Sequence, residues 1–314
     1  MTLRPTSVEE LQRQVAAAAG SRTPVPGWDL SALGGVGEYT PEDLTVTVGA
    51  GMTLGALQEC LGAHGQWIPL DPPGGADLPL ERLLATQASG PRRLGYGTAR
   101  DWVIGLRAVL GDGQLIHTGG RVVKNVAGFD LMKLFIGGGA AAGILVEATF
   151  KVAPRPEAEA WLRAECADYP ALGRLVEAIA ATSMMPVALD GFRPGPRAPV
   201  LVHLAFAGCR EEVEWQAGQA VALGFRPGPE PAGAAALAVE LPVRLSVPPS
   251  ELPATLARLD PPRWVARLGN GVAHLPRGSG PVADPWSPGV ARLATRVKEL
   301  FDPAGILPPW PVPA

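Results

Sequence analysis

At 314 residues the chain is long enough for one large domain or two medium ones, each with its own hydrophobic core. Apolar residues make up 47% of it and charged residues 18%, a composition that excludes a disordered chain. The net charge of −3, without any basic block, argues against nucleic acid as a partner.

The opening MTLRPTSVEELQRQ has no apolar centre, so no secretory signal is expected there. No uninterrupted apolar run approaches the roughly eighteen residues of a membrane span. Ser7 followed by Glu10 reads as a capping box, and the residues after it carry helical spacing. Leu44 to Val48 alternate as a strand, which GAGM breaks. Thr53 is placed to cap a helix whose Leu54, Leu57 and Leu61 share one face. QWIPLDPPGG predicts a short strand running into a proline-fixed loop. VIGLRAVLGDGQLIHTGG predicts a hairpin around Gly111-Asp112-Gly113, and the nearly continuous GILVEATFKVAP a central strand.

After Pro154 the texture changes. WLRAEC, a helix over about 170–182, PVALDGF, PVLVHLAF, a helix over about 209–223 and LPVRLSV follow in order. That is β-α-β-β-α-β, the pattern of a ferredoxin-like α+β unit. RPGPEPAGAAALA is expected as a long loop inside it, and PPRWVARLGNGVAHLP as further strands. The last helix, VARLATRVKELFDPAGIL, is expected to pack back on the first part of the chain.

Cys60, Cys166 and Cys209 never pair as CxxC, which excludes an iron–sulfur cluster ligated within the chain and gives no disulfide framework. His64, His117, His203 and His274 are dispersed, without HxH or HExxH spacing, so no zinc site is expected. GGVGEY lacks the third glycine of a Rossmann fingerprint and stands outside a strand–helix turn; a P-loop is absent as well.

The stretch ATQASGPRRLGYGTARD (Ala85 to Asp101) carries more chemistry. Small residues lead into Gly90, and Gly95 and Gly97 bracket Tyr96, so backbone there can approach a flat ring or a diphosphate closely. Arg92, Arg93 and Arg100 supply positive charge, and Asp101 can hold one of them or accept from a ligand hydroxyl. A glycine-rich turn with solvated arginines is the competing interpretation.

From Ser89 to Phe135 the sequence resembles the FAD-binding subunit of bacterial glycolate oxidase, within the flavoprotein superfamily of p-cresol methylhydroxylase (PCMH) and vanillyl-alcohol oxidase. SGPRR, YGTARD, VLGDG, TGGRVVKNVAGFD and KLF carry the resemblance, in order and at family spacing. Weaker support runs from about residue 7 to 151 and returns at FDPAGIL. The resemblance implies an α+β fold: a two-subdomain PCMH-type FAD-binding domain over 1–155, a ferredoxin-like cap over 156–280, and a C-terminal helix and tail over 281–314. It implies FAD as cofactor and, as residues near it, Ser89, Gly90, Arg92, Tyr96, Gly97, Thr98 and Asp101. Gly143, Ile144 and Val146 would offer backbone near the adenine end. Lys124 and Asn125 would brace a loop beside the cofactor, with Lys124 a candidate ligand contact, and Asp130 would cap the helix that follows.

Three departures lie on cofactor-contacting segments. The family's glycine run after an early strand is replaced by SRTPVPGWDLSALGG, whose prolines remove N–H donors. Leu80, Glu81 and Arg82 stand where bare glycine backbone is expected, and bulky side chains there are expected to crowd the flavin. GGGAAAG (Gly137 to Gly143) lacks the usual hydroxyls. No His-rich site for removing a proton from a 2-hydroxy acid is present, so no catalytic residue is assigned. The resemblance thus implies an accessory subunit of a cytoplasmic glycolate oxidase complex, with a catalytic flavoprotein and an iron–sulfur subunit as partners. Attachment to the inner membrane face would come only through the complex. FAD is expected to be weak or absent in the isolated chain. The alternatives are a structural subunit that has lost FAD and an independent flavin oxidoreductase.

Overall fold

Two apolar patterns of different period organise the chain: runs of alternating or continuous β-formers build two large sheets beside a short two-stranded pair, and capped helices bury one stripe each against them. The computed structural model describes residues 2–120, 130–231, 234, 237–238, 240–279 and 286–311. Helix α1 (Val8–Ser21) starts where the Ser7 hydroxyl accepts the Glu10 N–H at 3.1 Å, and it buries Leu11 and Val15. Strands β1 (Val36–Thr40) and β2 (Thr45–Gly49) form a hairpin. Helix α2 (Leu54–Gly62) follows, capped by Thr53 and burying the expected Leu54, Leu57 and Leu61. β3 (Gln66–Trp67), α3 (Leu80–Thr86), α4 (Arg93–Tyr96) and α5 (Ala99–Trp102) lead to the predicted hairpin of β4 (Val103–Val109) and β5 (Leu115–Gly119). Then come α6 (Met132–Phe135), β6 (Ile144–Lys151) and β7 (Ala153–Pro154).

The first sheet has the order β1-β2-β6-β4-β5, with every pair antiparallel and β6 central as its apolar run predicts. One face packs on α2 and α3 through Val46, Leu57, Leu83, Leu106 and Phe150; α1 covers Val109, Ile144 and Val146 on the other.

The second sheet begins with β8 (Ala158–Cys166), α7 (Tyr169–Ala180), β9 (Ala188–Arg193), β10 (Val200–Gly208), α8 (Arg210–Ala222) and β11 (Arg226–Pro227). Its order β11-β8-β10-β9 is the ferredoxin-like arrangement. The sequence placed LPVRLSV as the closing strand, but β11 closes the unit instead. LPVRLSV supplies β12 (Val243–Ser246), at the far edge beyond β13 (Trp264–Arg267) and β14 (Val272–Leu275). Two residues, one of them proline, are enough for an edge pairing but leave no strand signature. Helix α9 (Leu252–Leu259) packs against α7. The expected long loop is partly helical: Ala234 and Ala238 lie in helical backbone and pack on Phe192 and Val265.

Helix α10 (Pro288–Phe301) returns to the first sheet. Phe301 meets Phe135 edge-on at 5.9 Å, and the Lys298 ammonium donates to the Ala141 carbonyl at 3.0 Å. Two further expectations are corrected here. Asp130 pairs with Lys133 at 3.2 Å instead of capping α6, whose N-cap position Leu131 takes without a side-chain bond. Leu80 is fully buried in the first core, so its side chain turns inward, whereas Arg82 is exposed. Lys124 and Asn125 lie outside the described residues.

Candidate functional site

A cleft of about 620 Å³ lies between the second sheet and the segments around the end of α3. Its first wall is the end of α3 and the turn beyond it, Ala85 to Ser89, with Gly137 and Gly139 alongside. These residues are small for a local reason. The N–H groups of Gly137 and Gly139 donate to the carbonyls of Leu84 and Ala85 at 2.8 and 2.9 Å, so two backbone segments run in contact. Gln87 and Gly137 both have positive φ, and a Cβ on Gly137 would meet the Gln87 side chain at 2.9 Å.

The second wall is cationic. Arg244 of β12, Arg267 of β13 and His274 of β14 line it, with Arg93 of α4 at the junction. Arg267 is 2% exposed and pairs with buried Asp190 in a very short contact. Burial, and then the charges of Arg267 and Arg244, push His274 down to about 4, so it is neutral at pH 7 and a feeble proton acceptor.

The glycine-rich segment divides between two environments. Ser89 lines the cleft and accepts from Arg93 at 3.2 Å. Arg92 turns to the opposite side, where its guanidinium meets Glu159 at 2.6 Å, Glu230 at 2.7 Å and Asp71 at 3.4 Å. It also stands over the rings of Trp67 and Trp161. Burial outweighs Arg92 and pushes the Asp71 carboxyl up to about 7. A Cβ on Gly90 would fall 1.8 Å from the Asp71 carbonyl, so this glycine serves a backbone crossing. Tyr96 packs edge-on against Trp67. Gly97 has positive φ ahead of the Thr98–Asp101 capping box, in which Asp101 Oδ2 accepts the Thr98 N–H at 2.7 Å. The side chains of Ile144 and Val146 are buried under α1, and the Val146 carbonyl accepts from Ala50. A Cβ on Gly143 would meet the Val109 carbonyl at 2.9 Å.

A flavin dinucleotide asks this fold for two things: room for the ring and a loop with outward N–H groups for the diphosphate. The cleft offers open space beside small side chains. In the early loop three N–H donors are engaged within the loop. The Ser31 N–H donates to the Asp29 carboxylate at 3.0 Å, Leu33 to the Leu30 carbonyl at 2.7 Å, and Gly34 to Ser31 at 3.2 Å. The facing glycines are covered too: a Cβ on Gly49 would fall 1.8 Å from the Leu33 carbonyl, and on Gly51 1.7 Å from that of Leu30.

Residues 28–119 match the family model of the FAD binding domain. That span holds β1 to β5 and, of the first wall of the cleft, Ala85 to Ser89. The chain is 37% identical over 144 residues to glycolate oxidase subunit GlcE of Escherichia coli (strain K12), a match covering 46% of this chain and 41% of that protein. It is 35% identical over 153 residues to glycolate oxidase subunit GlcD of Bacillus subtilis (strain 168), covering 49% of this chain and 33% of the relative. The matches thus span less than half the length of these relatives. An alkyldihydroxyacetonephosphate synthase structure superposes over 97% of this chain and 76% of its own, with a TM-score of 0.74 at 16% identity. At that identity the likeness shows the fold, which is the PCMH-type FAD-binding fold with its α+β cap.

Sequence reasoning missed Arg244, Arg267 and His274. Each sits on its own strand, and no spacing along the chain announces that β12, β13 and β14 turn these side chains to one cleft.

Proposed function

We propose that this chain is an accessory subunit, of FAD-binding type, in a complex that oxidises glycolate to glyoxylate and passes electrons through a catalytic flavoprotein and an iron–sulfur subunit. The observation that carries the proposal is the 37% identity to a glycolate oxidase subunit across the matched half of the chain. It is supported by the FAD binding domain match. The neutral, arginine-surrounded His274 supports a role without proton abstraction, because a group titrating near 4 is a poor base at neutral pH. Among the described residues no helix is long and apolar enough to cross a membrane, so any contact with a membrane would come through the partners.

Isolated, the chain holds FAD weakly or not at all. The internally bonded loop from Asp29 to Gly34 favours this, since a diphosphate would have to displace the Asp29 carboxylate from the N–H it needs. The residues that would serve FAD are Ser89, Gly90, Arg92, Tyr96, Gly97, Thr98, Asp101, Lys124, Gly143, Ile144 and Val146. Of these, Ser89 has the strongest claim through its place in the cleft. The same loop supports a second reading, a structural subunit of this fold that has lost the cofactor altogether.

Purification alone and together with the neighbouring subunits, followed by flavin release on denaturation and a glycolate-driven dye assay, tests both readings. The expected result is little flavin and no activity alone, with activity of the complex requiring this chain. Glycolate-dependent reduction by the isolated chain would overturn the accessory role; tight stoichiometric FAD would overturn the weak-binding reading.

A further inference from the structure

We propose that the cationic wall of the cleft is a binding site for a small anion carrying two or more negative charges, a dicarboxylate or a phosphate, taken up independently of flavin. Three guanidinium groups, on Arg93, Arg244 and Arg267, line one cavity. Arg267 is almost fully buried, and its Nε and Nη2 have no hydrogen-bond partner among the described residues. Its one carboxylate, Asp190, is bound through Nη1. Arg244 has no carboxylate within ion-pair distance among the described residues and is exposed to the cleft mouth. Among the described residues Arg93 has one side-chain hydrogen bond, to the Ser89 hydroxyl. Asp101, whose charge acts on Arg93, accepts both the N–H and the hydroxyl of Thr98.

Among the described residues the opposite wall carries no acid. Its side chains are alanine, threonine, glutamine and serine. Like charges converging in a concave, partly desolvated space raise the field there, and a counter-ion is the ordinary answer. The mutual effect is visible in the groups themselves: burial and the charges of Arg244 and Arg267 lower Arg93, and the same arginines hold His274 neutral. Asp190 pairs with one of the three guanidinium groups, and among the described residues neither Arg93 nor Arg244 has a carboxylate within ion-pair distance. Two guanidinium groups without an ion-pair partner beside a third favour an anion of more than one charge, and planar or tetrahedral oxyanions suit the forked donors of arginine.

The site stands on the second sheet, away from the early loop, and goes beyond the accessory-subunit reading without depending on it. Calorimetric titration and thermal unfolding of the full chain at fixed ionic strength, with oxalate and inorganic phosphate as probes, test the idea. Acetate and glycolate serve as singly charged controls, and flavin content is measured separately by absorbance. A dianion should bind saturably and raise the unfolding temperature, while the controls should do neither. Arg244→Gln and Arg93→Gln should each weaken binding about tenfold or more, the loss expected for one charge-assisted contact. Arg210→Gln on α8 should change nothing. Whichever of oxalate and phosphate binds tighter identifies the class. Absence of saturable binding by both dianions would overturn the proposal, as would equal binding of acetate or dianion binding unchanged in both cleft variants.

Discussion

Replacing Arg92 by methionine would leave Asp71, Glu159 and Glu230 facing one another at the junction of the two sheets. The side chain is 11% exposed and its guanidinium holds all three, with the rings of Trp67 and Trp161 beside it. Loss of one partner from a buried pair costs about 3–5 kcal/mol, and the expected fall in unfolding free energy for Arg92→Met is of that size. Arg92→Lys should recover little, since an ammonium cannot reach three carboxylates as a fork does. Denaturant titration of both variants measures this, and a lysine variant as stable as the parent would refute it. A second test at this scale concerns Asp29. Asp29→Ala removes a negative charge and frees the Ser31 N–H. FAD retention by the isolated chain should then rise by about tenfold, the worth of a recovered charge-assisted donor. Equilibrium dialysis against FAD reads the change, and an unaltered affinity would remove the self-bonded loop as the cause of weak binding.

Elements announced themselves unevenly. Helices α1 and α2 were legible because a hydroxyl cap and an apolar stripe both fall in sequence order. The hairpin of β4 and β5 was legible from its turn glycines. The closing strand of the ferredoxin-like unit was not, since pairing of β11 with β8 is decided by where α8 delivers the chain rather than by β propensity at Arg226 and Pro227. The fate of Lys298, one of only four lysines, was equally hidden. Its ammonium donates to the carbonyls of Ala141, Leu307 and Pro308 and pairs with Asp302 at 2.7 Å. Asp302 is fully buried at its side chain and accepts the N–H groups of Ile306 and Leu307. One lysine thus fastens α10, the tail and the loop before β6. Lys298→Met should strand the Asp302 carboxylate and cost about 3–5 kcal/mol. Hydrogen exchange should show α10 opening ahead of the first sheet; unchanged protection there would show that the apolar contact of Phe301 with Phe135 suffices.

Over the whole molecule, two pairs of buried or half-buried groups oppose each other in their response to pH. Burial pushes Asp71 up to about 7 and Asp190 up to about 6, from an ordinary 3.8. Between 3.8 and those values the folded state binds more protons than the unfolded chain, so both groups make stability fall as pH rises. His203 and His274 are pushed down to about 4 from 6.5, first by burial and then by neighbouring arginines. Over that window the folded state binds fewer protons, so the histidines make stability rise with pH, and their contribution is lost as pH falls from 6.5 towards 4. Exposed Glu9, Glu10 and Asp29 are lowered by hydrogen bonds and act only below the ordinary carboxylate range. The parent protein should therefore show a shallow profile from about pH 4.5 to 6.5, with each histidine masking up to about 3 kcal/mol of opposing slope. Removing one side of the balance exposes the other. His203→Gln with His274→Gln should give a protein whose unfolding free energy declines as pH rises across this range, and Asp71→Asn one whose unfolding free energy climbs more steeply than the parent's. Denaturation midpoints at three pH values decide the matter, and parallel profiles for the parent and both variants would show that these four groups do not set the pH response.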